Sequence, residues 1–511
     1  MSDSKKVGIA AIIWMASVFL SRVIGLVREA VIGRTIGGGS DADVFWTSFI
    51  LPDFLNYLLA GGALSIVFIP IFSSYIAKEQ SEDGWKSFSR IANAIIILLV
   101  IFLPLLWILL PYFAPLLGPG FSDEQLVVLV HLTRIILPAQ FFHLIGGLLS
   151  AALQAQDKHA IPAMTGLIYT ISIIIGGLIF SSAEGFAYGV LFGSIIGPFA
   201  LPLYGCLKSG MRWSLTLSVS DVDVRNYFLR SLPIMLGFSI IVFDDFFLKR
   251  LGSLHGEGAV STLQYAKTLM KVPMGVFGLA FGAAFYPTMS KLIAQEKTPE
   301  AYDLMMTTVK RVLFLALGAQ IVMSSIGAEL ATVIYGSRLL EGQAEDIGIC
   351  LILMSIGLWG WSAQTILARG FYAKGNTWTP TILGTIVTVL LYPLYVFMGD
   401  KFGLWGLAGA SATAITIYVS ALIFLLSRFF KAQRGELREF VIKMAILVAL
   451  CLYLGRELHY WITFEHVILR GSIIGTCVGL FYLIVVSNLK IPEIDDVRRD
   501  IVSKVRRKLK Y

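Results

Sequence analysis

Apolar runs of roughly 18 to 25 residues recur along almost the whole chain, each long enough to cross a hydrocarbon core of about 30 Å as a helix. Lipid offers no partner to a backbone N–H or C=O, so a spanning segment must be a helix or part of a closed barrel. These runs are continuous rather than alternating, which selects helices. Charged residues make up only 14% of the 511, hydrophobic residues 57%, and the mean hydropathy is +0.78. A soluble domain carries about a quarter charged residues, so that class is excluded. The expected fold is an all-α integral membrane protein with about fourteen transmembrane helices, among them 7–34, 43–75, 125–153, 185–208, 226–250 and 258–290.

The chain also repeats itself. Ile69-Pro70-Ile71-Phe72-Ser73-Ser74-Tyr75-Ile76-Ala77-Lys78-Glu79 is echoed about 217 residues later by Tyr286-Pro287-Thr288-Met289-Ser290-Lys291-Leu292-Ile293-Ala294-Gln295-Glu296. Leu153-Gln154-Ala155-Gln156-Asp157-Lys158 returns as Phe371-Tyr372-Ala373-Lys374-Gly375-Asn376, and the stretch from Gly185 to Ser194 returns more weakly as Gly403 to Ser411. Two copies of one helical bundle is the usual plan of a secondary transporter, with its site between the copies. The expected layout is a six-helix lobe over 1–210, a repeat lobe over 225–431, a last helix pair over 437–490 and a basic tail over 491–511. An even number of spans per copy makes the repeats parallel and puts both termini on one side.

Lysine and arginine then choose the side. Lys78, Lys86, Arg90, Lys208, Arg212, Arg225, Lys291, Lys310, Arg428 and the tail from Lys490 to Lys510 share one face. The opposite loops, such as 118–125, carry acids and almost no base, so the basic face and both termini are expected in the cytoplasm. The tail fits anionic headgroups. Cys206, Cys350, Cys451 and Cys477 stand singly in apolar segments and predict neither a disulfide nor a metal site. No Gly-rich nucleotide loop, His-Glu-x-x-His or serine nucleophile motif occurs. The expectation is a transporter with no catalytic residues, no cofactor and no nucleic-acid partner, driven by a sodium or proton gradient or by the membrane potential.

Ionisable residues at membrane depth are costly and therefore mark candidate function. Arg22 and Arg28 lie about 120° apart on the first helix, with Glu29 beside them, and suit an anionic substrate. Asp43 and Asp53 frame the start of the second span, where Pro52 and Gly61-Gly62 predict a break. Asp244-Asp245 precede Lys249-Arg250, and could serve ion coupling or simply neutralise those cations. Lys267 and Lys271 share one helix face at i, i+4, just before Pro273. His131, Arg134 and His143 are given no role.

These residues fall within a familiar pattern. Ser21-Arg22-Val23-Ile24-Gly25-Leu26-Val27-Arg28-Glu29 resembles the SRVLGFxRD signature of the MurJ/MviN family, the lipid II flippases of bacterial peptidoglycan synthesis. Asp43-Val44-Phe45 resembles its DAF and Leu51-Pro52-Asp53-Phe54-Leu55 its LPNLL. Tyr265-Ala266, Leu269-Met270, Pro273 and Gly275-Val276-Phe277-Gly278 resemble YADRLMELPSGVLG. The resemblance implies two lobes around a cationic cavity for the pyrophosphate and sugar-peptide headgroup, with Arg22 and Arg28 among its cations. It also implies a groove for the lipid tail on the last helix pair, a bacterial inner-membrane location, and membrane lipids and cell-wall synthesis proteins as partners. The chain departs from the pattern where Asn56-Tyr57 replace a family Arg-Arg pair, Lys267-Thr268 replace Asp-Arg, and Lys271 replaces Glu. Lys267 and Lys271 restore positive charge, and Asn56 and Thr268 join them as candidate substrate contacts. A flippase for another lipid-linked glycan, or a cation-coupled drug exporter, are the rival readings.

Overall fold

A computed structural model describes residues 20, 23–60, 67–218, 220–236, 240–274, 285, 288, 289, 291–376, 378–430 and 435–488. Arg22 and Gly61-Gly62 lie outside the described residues. Those described are helical and joined by short loops, with no strand among them. Among the described residues, seven helices are long and apolar enough to cross a membrane, or eight if the bent pair Gln343–Ser355 and Leu358–Ala373 counts as one span. Packing divides the chain into two compact units, 1–261 with 335–340, and 262–334 with 341–511.

In the first unit, helix α1 (23–36) leads to three short helices where one span was expected: α2 (Ser40–Ser48), α3 (Ile50–Ala60) and α4 (Ile69–Ala77). The first break falls at Phe49, before Pro52. Helix α5 (Ser81–Leu117) runs unbroken for 37 residues despite three internal prolines. The expected span 125–153 appears as one apolar span, Asp123–Gln154, built of α6 (Asp123–Ile136) and α7 (Ala139–Gln154) with a turn at Leu137-Pro138. Ser122 starts α6 with a capping box, its hydroxyl accepting from the Gln125 N–H while the Gln125 side chain accepts from the Ser122 N–H.

Helices α8 (Ala160–Phe180) and α9 (Ala183–Ser194) meet through glycine. Gly185, Gly189, Gly193 and Gly197 recur every fourth residue, and a Cβ at Gly189 would lie 2.7 Å from the Ile173 Cα. Small residues at this spacing let two backbones touch, which supplies packing where lipid gives no hydrophobic drive. A π-helical turn at Ile195–Ala200, containing Pro198, separates α9 from α10 (Leu201–Lys208). Helices α11 (Val222–Leu236) and α12 (Ile240–Gly252) complete the unit, and α13 (Ala259–Pro273) begins at its edge. Phe72, Trp85, Phe88 and Trp213 form a chain of edge-to-face rings in its core.

The second unit contains α14 (Thr298–Ser325), α15 (Gly327–Tyr335, apart from Tyr335), α16 (Gln343–Ser355), α17 (Leu358–Ala373), α18 (Trp378–Phe429), α19 (Gly435–Trp461) and α20 (Val467–Asn488). Gly403, at φ 58°, kinks α18 between the two spans expected there.

The sequence repeat has a backbone counterpart. Glu79 sits at φ 60°, with its N–H on the Ile76 carbonyl and the Gln80 N–H on that of Tyr75. Glu296 has the same φ of 60°, with its N–H on Ile293 and the Lys297 N–H on Leu292. Asp157 and Gly375 form a second such pair: Asp157 and Lys158 donate to Gln154 and Leu153, Gly375 and Asn376 to Tyr372 and Phe371. Each is a left-handed helix stop of the Schellman type, and it recurs at the offset of the sequence repeat.

Candidate functional site

The charged residues of the first unit are not isolated in lipid. Arg28 bonds Glu29 through both Nη2 and Nε, the latter at 3.2 Å, and Glu29 is 4% exposed. Arg28 also lies within electrostatic range of Tyr169 on α8 and Asp53 on α3. Asp53 in turn faces Lys249 of α12 at 3.8 Å. Lys249 thus has a carboxylate from a helix distant in the chain. The sequence-predicted residues Arg28, Glu29 and Asp53 form one neighbourhood, with Asn56 one turn beyond Asp53 on α3 and half-buried. Tyr169 and Lys249 complete it, and neither was among the predicted sites. Asp244 is buried on α12 and Asp245 half-buried beside it.

Asp43 does something different. It is 1% exposed, and its two oxygens accept the N–H groups of Gly258 and Ser261 at 2.7 Å each. Ser261 donates its hydroxyl to the Gly38 carbonyl at 2.6 Å, and Glu257 accepts from the Ser40 N–H at 3.0 Å. The carboxylate therefore satisfies free N–H groups at the start of α13. Gly38 also donates to the Arg338 carbonyl at 3.2 Å, and the Arg338 guanidinium donates to the Thr35 carbonyl. Asp43, a candidate with Glu29 and Asp53 for gating or ion coupling, thus ties α2 to the start of α13.

In the second unit, Lys267 is 1% exposed with its Nζ 5.3 Å from the ring centre of Trp361. Thr268 and Lys271 are half-buried on the same helix, α13. A second buried group there went unforeseen. Glu329 of α15 accepts from Arg470 Nε of α20 at 2.8 Å and lies 3.5 Å from His459 Nδ1 of α19. His459 Nε2 donates to the Ser325 carbonyl at 2.8 Å. These groups are 130 or more positions apart in the chain, so no local pattern announces them. No group of His, Cys, Asp or Glu placed to hold a metal occurs among the described residues.

A helical membrane protein with cations and paired acids inside its units belongs to the broad class of polytopic transporters. The solved fold agrees. A lipid II flippase MurJ in an inward closed conformation superposes with a TM-score of 0.75 at 21% identity, covering 93% of this chain and 99% of that one. An inward-facing multidrug transporter of the MATE family, in the MOP superfamily, gives 0.66 at 14% identity over 80% and 94%. The profile of the lipid II flippase MurJ family matches residues 32–471, and the chain belongs to that family. It is 26% identical over 495 residues to the lipid II flippase MurJ of Burkholderia cenocepacia, covering 90% of this chain and 93% of the relative. It is 25% identical over 439 residues to the probable lipid II flippase MurJ of Vibrio cholerae, covering 82% of each.

Proposed function

We propose that this chain is a lipid II flippase, moving the undecaprenyl-pyrophosphate-linked peptidoglycan precursor from the inner to the outer leaflet of the bacterial cytoplasmic membrane by alternating access. The observation that carries this reading is family membership across residues 32–471. Physical chemistry makes it coherent. A polyprenyl tail can stay in lipid, but a diphosphate cannot enter unpaired, and guanidinium forks bind phosphate oxygens in pairs. Arg28 is such a fork, held by Glu29 until a more highly charged anion competes for it. Arg22 is assigned the same role, with Lys267 and Lys271 as further cations and Asn56 and Thr268 as neutral contacts.

The finer reading is fourteen spans, in two parallel six-helix lobes, with α19 and α20 forming the groove for the lipid tail. Both termini lie in the cytoplasm. A sodium or proton gradient, or the membrane potential, supplies the energy, with Asp244 and Asp245 as the carboxylates to test. Cell-wall synthesis proteins are the further partners.

The test is depletion of an essential lipid II flippase in a bacterial host, with rescue by this chain and readout of lipid II accessible on the outer leaflet. Rescue is expected, and Arg22→Ala or Arg28→Ala should abolish it while leaving membrane insertion intact. Normal rescue by both variants would sink the arginine clamp. Failure of the inserted, folded parent would move the assignment to another lipid-linked glycan.

A further inference from the structure

The first unit contains a cavity of about 360 Å³ that none of the charged residues above accounts for. Its walls are α7, α8 and the π-helical turn, and the packing explains why it exists. Gly146 lies so close to that turn that a Cβ would sit 1.9 Å from the Pro198 carbonyl oxygen. Glycine at 146 and proline at 162 and 198 bring the walls together while leaving a space between them. A π turn inside a helical segment is often found at functional sites.

The lining is polar and holds no carboxylate, ammonium or guanidinium: His143, Ser150, Gln154, Thr165 and Tyr169, set among glycines. Two of these are already engaged within the fold. His143 Nε2 is 2.9 Å from the Ser194 hydroxyl, and Thr165 donates to the Pro162 carbonyl at 2.8 Å. His143 also packs edge-to-face on Tyr169 at 4.9 Å, which fixes the Tyr169 ring. The Ser150 hydroxyl, the Gln154 side-chain amide and the Tyr169 hydroxyl have no hydrogen-bond partner among the described residues. Hydrogen-bonding groups turned toward acyl chains would be costly, so this wall suits a ligand that can both donate and accept. No carboxylate or ammonium lines it, which disfavours an ion. The volume is near the lower end of the range for small-ligand sites, roughly 300 to 1,000 Å³. It has room for one sugar ring with its substituents.

Tyr169 is also the residue that lies within electrostatic range of Arg28. Tyr169 thus belongs both to the cavity wall and to the electrostatic surroundings of Arg28. We infer that this cavity is a sugar subsite, which takes a hydroxyl- and amide-bearing pyranose ring of the lipid-linked headgroup while Arg28 holds the adjoining pyrophosphate. The inference rests on the flippase reading and adds to it a recognition of the glycan.

The experiment compares binding of lipid II and of undecaprenyl pyrophosphate, which lacks the sugars, to the full chain in nanodiscs. Phosphatidylglycerol serves as the control lipid. The parent should prefer lipid II by about tenfold or more, the scale set by two to three net hydrogen bonds. Ser150→Phe, which fills the cavity, and the pair Ser150→Ala/Gln154→Leu, which only removes hydrogen bonds, should each erase that preference and leave undecaprenyl pyrophosphate affinity unchanged. If Ser150→Phe fails to fold, the milder pair decides. Lipid II binding at parental strength in a folded variant overturns the subsite. Equal loss of both lipids in a folded variant also overturns it, placing these residues in the pyrophosphate site. A parent that binds both lipids equally well, and above the control, refutes the subsite while leaving the flippase reading in place. A parent that binds neither refutes the flippase reading, and the subsite with it.

Discussion

Two of the buried lysines, Lys249 in the first unit and Lys267 in the second, have different neighbours. Lys249 of the first unit is 6% exposed and faces the Asp53 carboxylate at 3.8 Å; Lys267 of the second is 1% exposed and lies over the indole of Trp361. A carboxylate cancels charge, whereas an aromatic face attracts a cation without changing the net charge of its surroundings. The acids follow the same division. In the first unit Glu29 and Asp53 stand among the cations proposed to hold substrate. In the second, Glu329 anchors α19 and α20 to α15 through His459 and Arg470. The first unit thus sets Glu29 and Asp53 beside cations, and in the second Glu329 ties helices together.

The sharpest way to break that contrast is Glu329→Ala. It leaves Arg470 without its carboxylate and removes the acid shared with His459, a change that should destabilise the protein by about 3 kcal/mol. Thermal unfolding in detergent checks it, with Glu29→Ala as the matched change in the first unit. If Glu29→Ala costs as much, the acids of the two units have the same structural role and the contrast fails.

Asp43 tests the exception within the first unit, an acid that bonds backbone instead of a cation. Asp43→Ala should cost about 2 to 3 kcal/mol, because two buried N–H groups lose a charged acceptor. Asp43→Asn keeps one acceptor oxygen and should recover part of the loss. Substitution by Asn that matches Ala would show that both bonds depend on the charge.

The helical membrane class was legible because apolar runs are a direct demand of the bilayer. The repeat was legible too, and its recurrence in paired helix stops, Glu79 with Glu296 and Asp157 with Gly375, reflects short-range backbone chemistry that sequence carries locally. The breaks were less visible. Hydropathy runs smoothly through Leu137-Pro138 and Phe49, where one helix ends and the next begins. Arg28, Glu29, Asp43 and Asp53 could be singled out as charges in lipid, but their partners could not. Gly258 and Ser261 lie more than two hundred positions from Asp43, and Lys249 nearly as far from Asp53. His143 has no role legible in the sequence, and its cavity depends on a π turn that no periodicity reveals. The signals that could have led there were the glycines spaced by four from Gly185 and the prolines at 162 and 198.

The cation–aromatic half of the contrast is open to a double-mutant cycle. Lys267→Met and Trp361→Phe, alone and together, should give a coupling of about 1 kcal/mol between lysine and indole. Rescue of growth read on the same variants separates roles: Lys267→Arg should retain transport and Lys267→Met should reduce it, if the charge serves the substrate. Zero coupling would mean that the indole only fills space beside the lysine.

The smallest effect expected is at Lys374, beyond the end of α17, whose Nζ is 4.1 Å from the ring centre of Phe430 and 4.8 Å from that of Phe429. Partial burial holds its ammonium below the ordinary lysine value of 10.5. A folded-state value below the unfolded one means that the folded protein releases this proton first as pH rises. The penalty for keeping the charge is therefore fully present at neutral pH. It is relieved as pH climbs through the folded value toward the unfolded one, so stability from this group rises with pH in that window. Lys374→Met should abolish that rise and change stability at neutral pH by only a few tenths of a kcal/mol, because the residue is half-exposed. Unfolding midpoints measured from about pH 8 to 10.5 decide it. An unchanged slope in Lys374→Met would show that the aromatic faces compensate burial fully, and would bring Lys374 closer to the carboxylate-paired Lys249 than to its aromatic counterpart Lys267.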